Sequence, residues 1–181
     1  TAYSAIGKSV YDTQFMERYD SRDKNVGFYL PDFDDSDWVP ATIKAIDDYT
    51  VVPQKSKMLV YEDIAPTIEH REGNKIFLDF GKMYVGTISA CAKGADGEKV
   101  TIRMGQELGA AGEVRSKLRC NCNYVEEWIL SGGNDTLNQF DYKAFRYATI
   151  ESEGAEISDV KLVARHYPFE LKASLGDAFK N

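Results

Sequence analysis

Acidic side chains are the most numerous chemically active residues of this 181-residue chain, which has 29 aspartates and glutamates but only two histidines. Two opposed carboxylates can hydrolyse a glycosidic bond by general acid and base catalysis. No acid stands in a sequence context that singles it out. The motifs G-x-S-x-G, H-E-x-x-H, G-x-x-x-x-G-K-[ST] and G-x-G-x-x-G are also missing. The residues alone therefore assign no catalytic group.

The densest acidic cluster is "PDFDDSDW", Pro31–Trp38. Asp32, Asp34 and Asp35 are its candidate metal ligands. The segment lacks the glycine at position six and the glutamate at position twelve that a calcium-binding EF-hand loop requires. Calcium is therefore possible but supported by no motif, and we expect no cofactor. The alternative is that the aspartates bond their own backbone in turns while Trp38 is buried.

Aromatic side chains flanked by polar groups are typical of sugar-binding surfaces. In "YVEEWIL", strand alternation places Trp128 on the same face as Tyr124 and Glu126, a mixed pattern that is compatible with a partly exposed face. The alternative is an aromatic core residue. In "TIRMGQEL", the same alternation aligns Arg103 with Glu107.

Arg146 could reach an acid on a neighbouring strand, which would make either an ion pair within the protein or a charged grip on a ligand. The candidate carbohydrate-binding residues are thus Trp128, Tyr124, Tyr84, Arg103, Glu107 and Arg146.

Composition narrows the class of protein. The net charge of −7 and pI near 4.9 argue against a nucleic-acid surface, and no apolar run is long enough for a membrane helix. The three cysteines form no complete disulfide framework, and "CNC" lacks the spacing of a zinc site. The chain does not start with methionine, so we expect it to be part of something longer.

Period-two alternation from residue 57 onward, with Gly-rich turns between the runs, predicts an all-β, antiparallel β-sandwich. We assign residues 57–181 to this sandwich and residues 1–56 to an irregular N-terminal arm that packs on it. The Asp96–Gly97 pair is a hairpin signal. A short helical turn is possible at 39–49, and a loop or brief helix is expected at 108–119. The predicted strands are 11–22, 75–80, 86–94, 98–108, 124–132, 145–154, 157–167 and 170–175.

Several segments in order resemble bacterial alpha-L-rhamnosidases. "FLDFGKMYVGTISACAKGADGEKVTIRMGQEL" (Phe77–Leu108) is similar to their strand ending in D-F-G-Q-N and the glycine-rich segment after it. "FDYKAFRYATIES" (Phe140–Ser152) resembles their F-x-y-H-G-F-R-Y segment. The segment "YDSR…FDDSDWVPA" (Tyr19–Ala41) is similar to their Y-D-A-R…F-D-D-s-x-W. The chain departs from the pattern where Lys82-Met83 replaces Gln-Asn and where Lys143-Ala144 replaces His-Gly.

The resemblance implies a concanavalin-like or jelly-roll module of a multidomain glycoside hydrolase. Its catalytic acids would lie in a separate (α/α)6-barrel, which would be the module's partner, and the module could hold rhamnose-containing glycan. Whether this chain is itself an enzyme stays open. The alternatives are a free-standing lectin-like domain and a purely structural interaction domain. The compartment is undecided, with a bacterial periplasmic or secreted location favoured over a cytoplasmic one.

Overall fold

The computed structural model describes residues 2–10, 14–45, 50–119 and 122–170. Within these ranges the regular elements are β-strands, which confirms the all-β prediction, and no helix is long and apolar enough to cross a membrane. The strands are β1 Tyr3–Val10, β2 Gln14–Asp20, β3 Val60–Ile64, β4 Ile68–Glu72, β5 Lys75–Lys93, β6 Asp96–Gly105, β7 Val125–Ser131, β8 Asn134–Thr136, β9 Lys143–Glu151 and β10 Glu156–His166.

The strands are hydrogen-bonded in the order β1-β2-β7-β6-β9-β5-β10-β3, with β4 and β8 each paired to β5 beside this path. All of these pairs are antiparallel except β2 with β7. The buried faces of the strands share a single apolar core. The fold is therefore the antiparallel β-sandwich that the sequence predicts.

Strand β5 is 19 residues long and pairs with four other strands. Its first part pairs with β4 and β9, and its last part pairs with β10 and β8. The pairing with β9 slips between Asp79 and Tyr84, where Gly81 has a φ of 79°. A side chain at Gly81 would be strained because that φ is unfavourable for L-residues. The irregular register marks a bulge in β5, which bends this continuous strand locally.

The core follows the alternation of the sequence. Leu78, Ile102, Trp128 and Phe145 come from four different strands and are fully buried. Burying one such side chain stabilises the fold by roughly 1.5–3 kcal/mol. The other fully buried large side chains are Ile88, Val100, Met104, Leu130, Ile150 and Leu162.

The N-terminal residues contribute two strands to the sheet. The strand predicted at 11–22 is present as β2, although residues 11–13 lie outside the described ranges, and β1 was not predicted. After Asp20 the described residues up to 59 form turns and irregular chain with no strand. The helical turn expected at 39–49 is absent from 39–45, and residues 46–49 lie outside the description.

The hairpin predicted at Asp96–Gly97 is wrong. Strands β5 and β6 are not paired with each other, because β9 lies between them. Strands β5 and β6 are therefore not neighbours in the sheet. Strand β9, which comes much later in the sequence, pairs with both of them. The segment 108–119 is a loop with isolated bridges, as expected. The last predicted strand, 170–175, lies outside the described residues except for Glu170, which is not in a strand.

Candidate functional site

The side of β5, β6 and β9 that points away from the apolar core, here called the outer face, carries two of the predicted charged residues. Cross-strand pairing aligns Phe77 of β5 with Thr149 of β9, and Thr149 in turn with Arg103 of β6. The rings of Phe77 and Tyr147 stack with their centroids 6.3 Å apart. The guanidinium of Arg146 lies over the Tyr147 ring, 4.7 Å from its centroid. Aromatic and charged groups thus share one surface.

Arg146 binds Asp79 of the adjacent strand β5, as predicted for an acid on a neighbouring strand. Its Nε and Nη2 atoms donate to the two carboxylate oxygens at 2.8 and 2.9 Å. The backbone N–H of Gly81 also donates to Asp79, at 2.7 Å. These hydrogen bonds, first of all those from Arg146, lower the pKa of Asp79 below its usual range. The pair fixes the bulge of β5, so the guanidinium is already committed within the protein.

Arg103 and Glu107 are engaged in separate ion pairs. Arg103 Nη1 donates to Glu151 at 2.7 Å, and Lys75 approaches the other oxygen of Glu151 at 3.2 Å. Glu107 lies beyond the end of β6 and accepts a 2.8 Å bond from Arg115. The two predicted residues therefore do not grip one ligand between them.

The three predicted aromatic residues pack on the core to different degrees. Trp128 is 0 % exposed and its indole N–H donates to Ser21 Oγ at 2.8 Å. Of the two interpretations of Trp128, the core residue is confirmed and the partly exposed face is not, because the face that it shares with Glu126 points into the core. Tyr124 and Tyr84 are partly buried against that core, and the Lys82 ammonium lies 5.1 Å from the centroid of the Tyr84 ring.

Asp32, Asp34 and Asp35 lie in an exposed turn. Asp34 accepts the backbone N–H of Ser36 at 3.0 Å, and this hydrogen bond lowers its pKa. Within the described ranges, no three His, Cys, Asp or Glu side chains converge as a metal site would require. Trp38 is 47 % exposed, so its expected burial is wrong.

A buried charged cluster was not predicted. Lys143 Nζ forms an ion pair with Glu126, and both side chains are 3 % exposed. Gln139 donates to the other oxygen of Glu126. Glu17 of β2 lies nearby and accepts the backbone N–H groups of Phe140 at 3.0 Å and Asp141 at 3.2 Å.

Burial raises the pKa of Glu126 to about 7 and also raises that of Glu17. The sequence signal was available, since Glu126 alternates with the core residues Trp128 and Leu130 while Lys143 alternates with Phe145. Opposite charges at two core-facing positions indicate a buried pair. Glu126 and Lys143 are enclosed by the fold, whereas Glu17 also lines a cavity of about 470 Å³ beside Phe140 and Asp141.

The fold and these contacts define an all-β sandwich domain whose predicted site residues largely serve its own architecture. The family profile described as "Bacterial alpha-L-rhamnosidase concanavalin-like domain" matches residues 69–167, which is more than half of the chain. The chain belongs to this family. No curated protein sequence matches it.

Solved structures of alpha-L-rhamnosidases have the same fold. The enzyme from Dictyoglumus thermophilum is 23 % identical with a TM-score of 0.65, and that from Aspergillus terreus is 21 % identical with a TM-score of 0.69. The Streptomyces avermitilis enzyme, solved with L-rhamnose, is 24 % identical with a TM-score of 0.68. The matches cover 92 %, 94 % and 91 % of this chain but only 19 %, 20 % and 16 % of those chains. The chain thus spans about a fifth or less of the proteins that it resembles.

Proposed function

We propose that this domain is an accessory module of an alpha-L-rhamnosidase-like glycoside hydrolase and braces its catalytic domain. The observation that carries the proposal is the family match, together with the small share of each similar rhamnosidase that the chain covers. In this proposal the catalytic acids lie in an (α/α)6-barrel elsewhere in the protein, and the module contributes no catalytic residue.

The irregular segment after β2 supports a bracing role. Val39, Ile43 and Val51 are each more than 90 % exposed, and Val52 and Met58 are also strongly exposed. Strongly exposed apolar side chains concentrated in one segment are typical of a surface that binds another protein or domain. We assign this segment, residues 38–59 as far as they are described, to contact with the catalytic domain.

The test compares the 181-residue chain with the longer protein that contains it. The isolated chain should not hydrolyse p-nitrophenyl α-L-rhamnopyranoside, whereas the longer protein should. The double variant Val39→Ser/Val51→Ser should leave the isolated chain within about 0.5 kcal/mol of its original stability, because those side chains are exposed there. The same variant should lower the melting temperature of the longer protein. Turnover by the isolated chain, or equal effects on both proteins, would contradict the proposal.

Glycan binding is the second part of the proposed function. It is supported by the family and by the L-rhamnose named with the Streptomyces avermitilis enzyme. On the outer face, Arg103 and Arg146 stay partly exposed beside the Phe77–Tyr147 stack, although their charged groups are paired. Removing Arg103 should therefore reduce fold stability more than sugar affinity.

A further inference from the structure

A groove of about 470 Å³ lies between the turns that follow β2 and the strand β8. We call it the Tyr29 groove. None of the six residues predicted to bind carbohydrate lines it. Those of its lining residues that matter for recognition are Ser21, Tyr29, Ser89, Asn134 and Thr136.

Both walls of the Tyr29 groove are held by hydrogen bonds. In the first wall, the N–H of Val26 donates to the carbonyl of Asp23 at 3.0 Å, and the N–H of Leu30 donates to that of Gly27 at 2.8 Å. The second wall is β8, which pairs with the end of β5. Pre-formed walls reduce the ordering that a ligand must impose.

Apart from Asp135, the polar side chains that line the groove are uncharged. Its one acidic lining residue, Asp135, is buried and accepts both the N–H and the hydroxyl of Ser131, at 2.8 and 2.7 Å. No Lys, Arg or His is among the described lining residues. This composition does not suit a charged ligand, which would need an opposite charge.

Several hydrogen-bonding groups in the groove are free to bind a ligand. Within the described part of the chain, the side chains of Ser89 and Asn134 make no hydrogen bond. Ser21 Oγ accepts the indole N–H of buried Trp128 and keeps its own proton to donate. The groove therefore offers hydroxyl and amide groups that can both donate and accept, as sugar hydroxyls do.

Tyr29 supplies an aromatic surface at this site. Its side chain is 65 % exposed and meets Phe28 edge to face, with the centroids 5.7 Å apart. An exposed aromatic ring beside convergent neutral polar groups is suited to stacking on a sugar ring. The groove volume also falls within the range of small-molecule sites, about 300–1,000 Å³.

We propose that the Tyr29 groove binds a neutral sugar residue of a glycan, with Tyr29 stacking on the ring and Ser21, Ser89 and Asn134 bonding its hydroxyls. The proposal deepens the glycan-binding part of the proposed function and rests on it. It does not depend on docking to a catalytic domain.

The test is a titration of the ¹⁵N-labelled 181-residue chain followed by NMR. Methyl α-L-rhamnopyranoside and methyl α-D-mannopyranoside are the neutral probes, and D-glucuronate is the charged one. We expect saturable shifts at the amides of Tyr29, Ser89 and Asn134 with at least one neutral probe and weaker binding of glucuronate. Tyr29→Ala and Asn134→Ala should each weaken binding at least tenfold, whereas Tyr29→Phe should retain most of it.

Tyr61→Ala is the matched control, because Tyr61 is similarly exposed but lies on β3, away from the groove. It should bind the probe as the unmodified chain does. Absence of saturable shifts with both neutral probes, shifts confined to another surface, or unchanged binding by a folded Tyr29→Ala variant would overturn the proposal. The variant Val39→Ser/Val51→Ser tests docking separately, so either proposal can fail while the other holds.

Discussion

The ammonium group of Lys143 on β9 faces the carboxylate of Glu126 on β7 inside the sandwich, and each side chain is only 3 % exposed. The pair connects β7 and β9, which lie on either side of β6. Glu17 accepts hydrogen bonds from the backbone of Phe140 and Asp141, just before β9. Asp141 Oδ2 also lies 3.9 Å from Lys143 Nζ. The enclosed cluster thus contains more carboxylates than cations, and its stability should depend on pH.

The first prediction concerns that pH dependence. Burial raises the pKa of Glu126 from 4.5 to about 7, so between these values the folded protein holds a proton that the unfolded chain has lost. The free energy of unfolding should therefore fall as the pH rises through this window, by on the order of 2–3 kcal/mol. The measurement is urea unfolding from pH 4.5 to 7.5.

The double variant Glu126→Gln/Lys143→Met should remove most of that slope, because neither partner then titrates; the single glutamine variant would leave Lys143 unpaired. Glu127→Gln on the same strand is the control. Burial raises the pKa of Glu127, but bonds from Arg18 and Lys99 outweigh burial and lower it overall. That variant should therefore keep the slope between pH 4.5 and 7. A double variant with the slope of the unmodified chain would contradict the assignment to Glu126.

The second prediction separates the buried pair from a surface pair. Lys143→Met should destabilise the protein by about 3–5 kcal/mol at pH 8, because it leaves a buried carboxylate without its cation. Adding Glu126→Gln should recover part of that loss. Lys161→Met, which removes the exposed partner of Asp63, should cost less than about 1 kcal/mol. The measurement is chemical denaturation of the unmodified chain, the two lysine variants and the double variant. Similar losses of stability for both lysine variants would count against a buried pair.

The third prediction concerns the bulge of β5. Asp79→Ala removes the acceptor for both Arg146 and Gly81 and should cost about 2–4 kcal/mol. Asp79→Asn can still accept one bond from Gly81 and should cost about half as much. Urea unfolding at pH 7 compares the two. Equal losses would mean that the Gly81 bond contributes nothing.

The fourth prediction concerns the close contact of β5 with β10. A methyl group at Gly86 would lie 2.2 Å from the carbonyl oxygen of Val163, which is backbone and cannot rotate away. Gly86→Ala should therefore cost about 3 kcal/mol or more. Gly154→Ala is the control, since its methyl group would meet open space, and it should change stability by less than about 0.5 kcal/mol. Thermal melts of the two variants give the comparison, and a stable Gly86→Ala protein would show that β10 can move outward.

Local alternation predicted most strands and the pairing of Arg146 with an acid of a neighbouring strand. It predicted these because a period of two fixes which side chains share a face. It failed at Asp96–Gly97, where the partner of each strand is set by contacts distant in sequence. The turn residues there predicted a reversal of the chain. They did not predict that β9 would lie between the two strands that the turn connects.

Burial was predicted incorrectly for Trp38, and for Trp128 the sequence pattern left two interpretations open, for a similar reason. The glutamates beside Trp128 suggested that this strand face is exposed to solvent. One of them, Glu126, instead forms an ion pair with Lys143 inside the core. The aspartates before Trp38 indicated a turn, which is present, but a turn says nothing about whether another segment covers the ring. Exposure depends on the whole surrounding fold, which neighbouring residues do not encode.

The parallel pairing of β2 with β7 also sets an order of assembly during synthesis. Arg18 meets its partner Glu127 only 109 residues later in the chain. At a translation rate of about 5–20 residues per second, the N-terminal strands wait roughly 5–20 s on the ribosome before their place in the sheet exists. During that interval β1 and β2 lack the strand that β2 pairs with, so this edge of the sheet is completed only after β7 has been made.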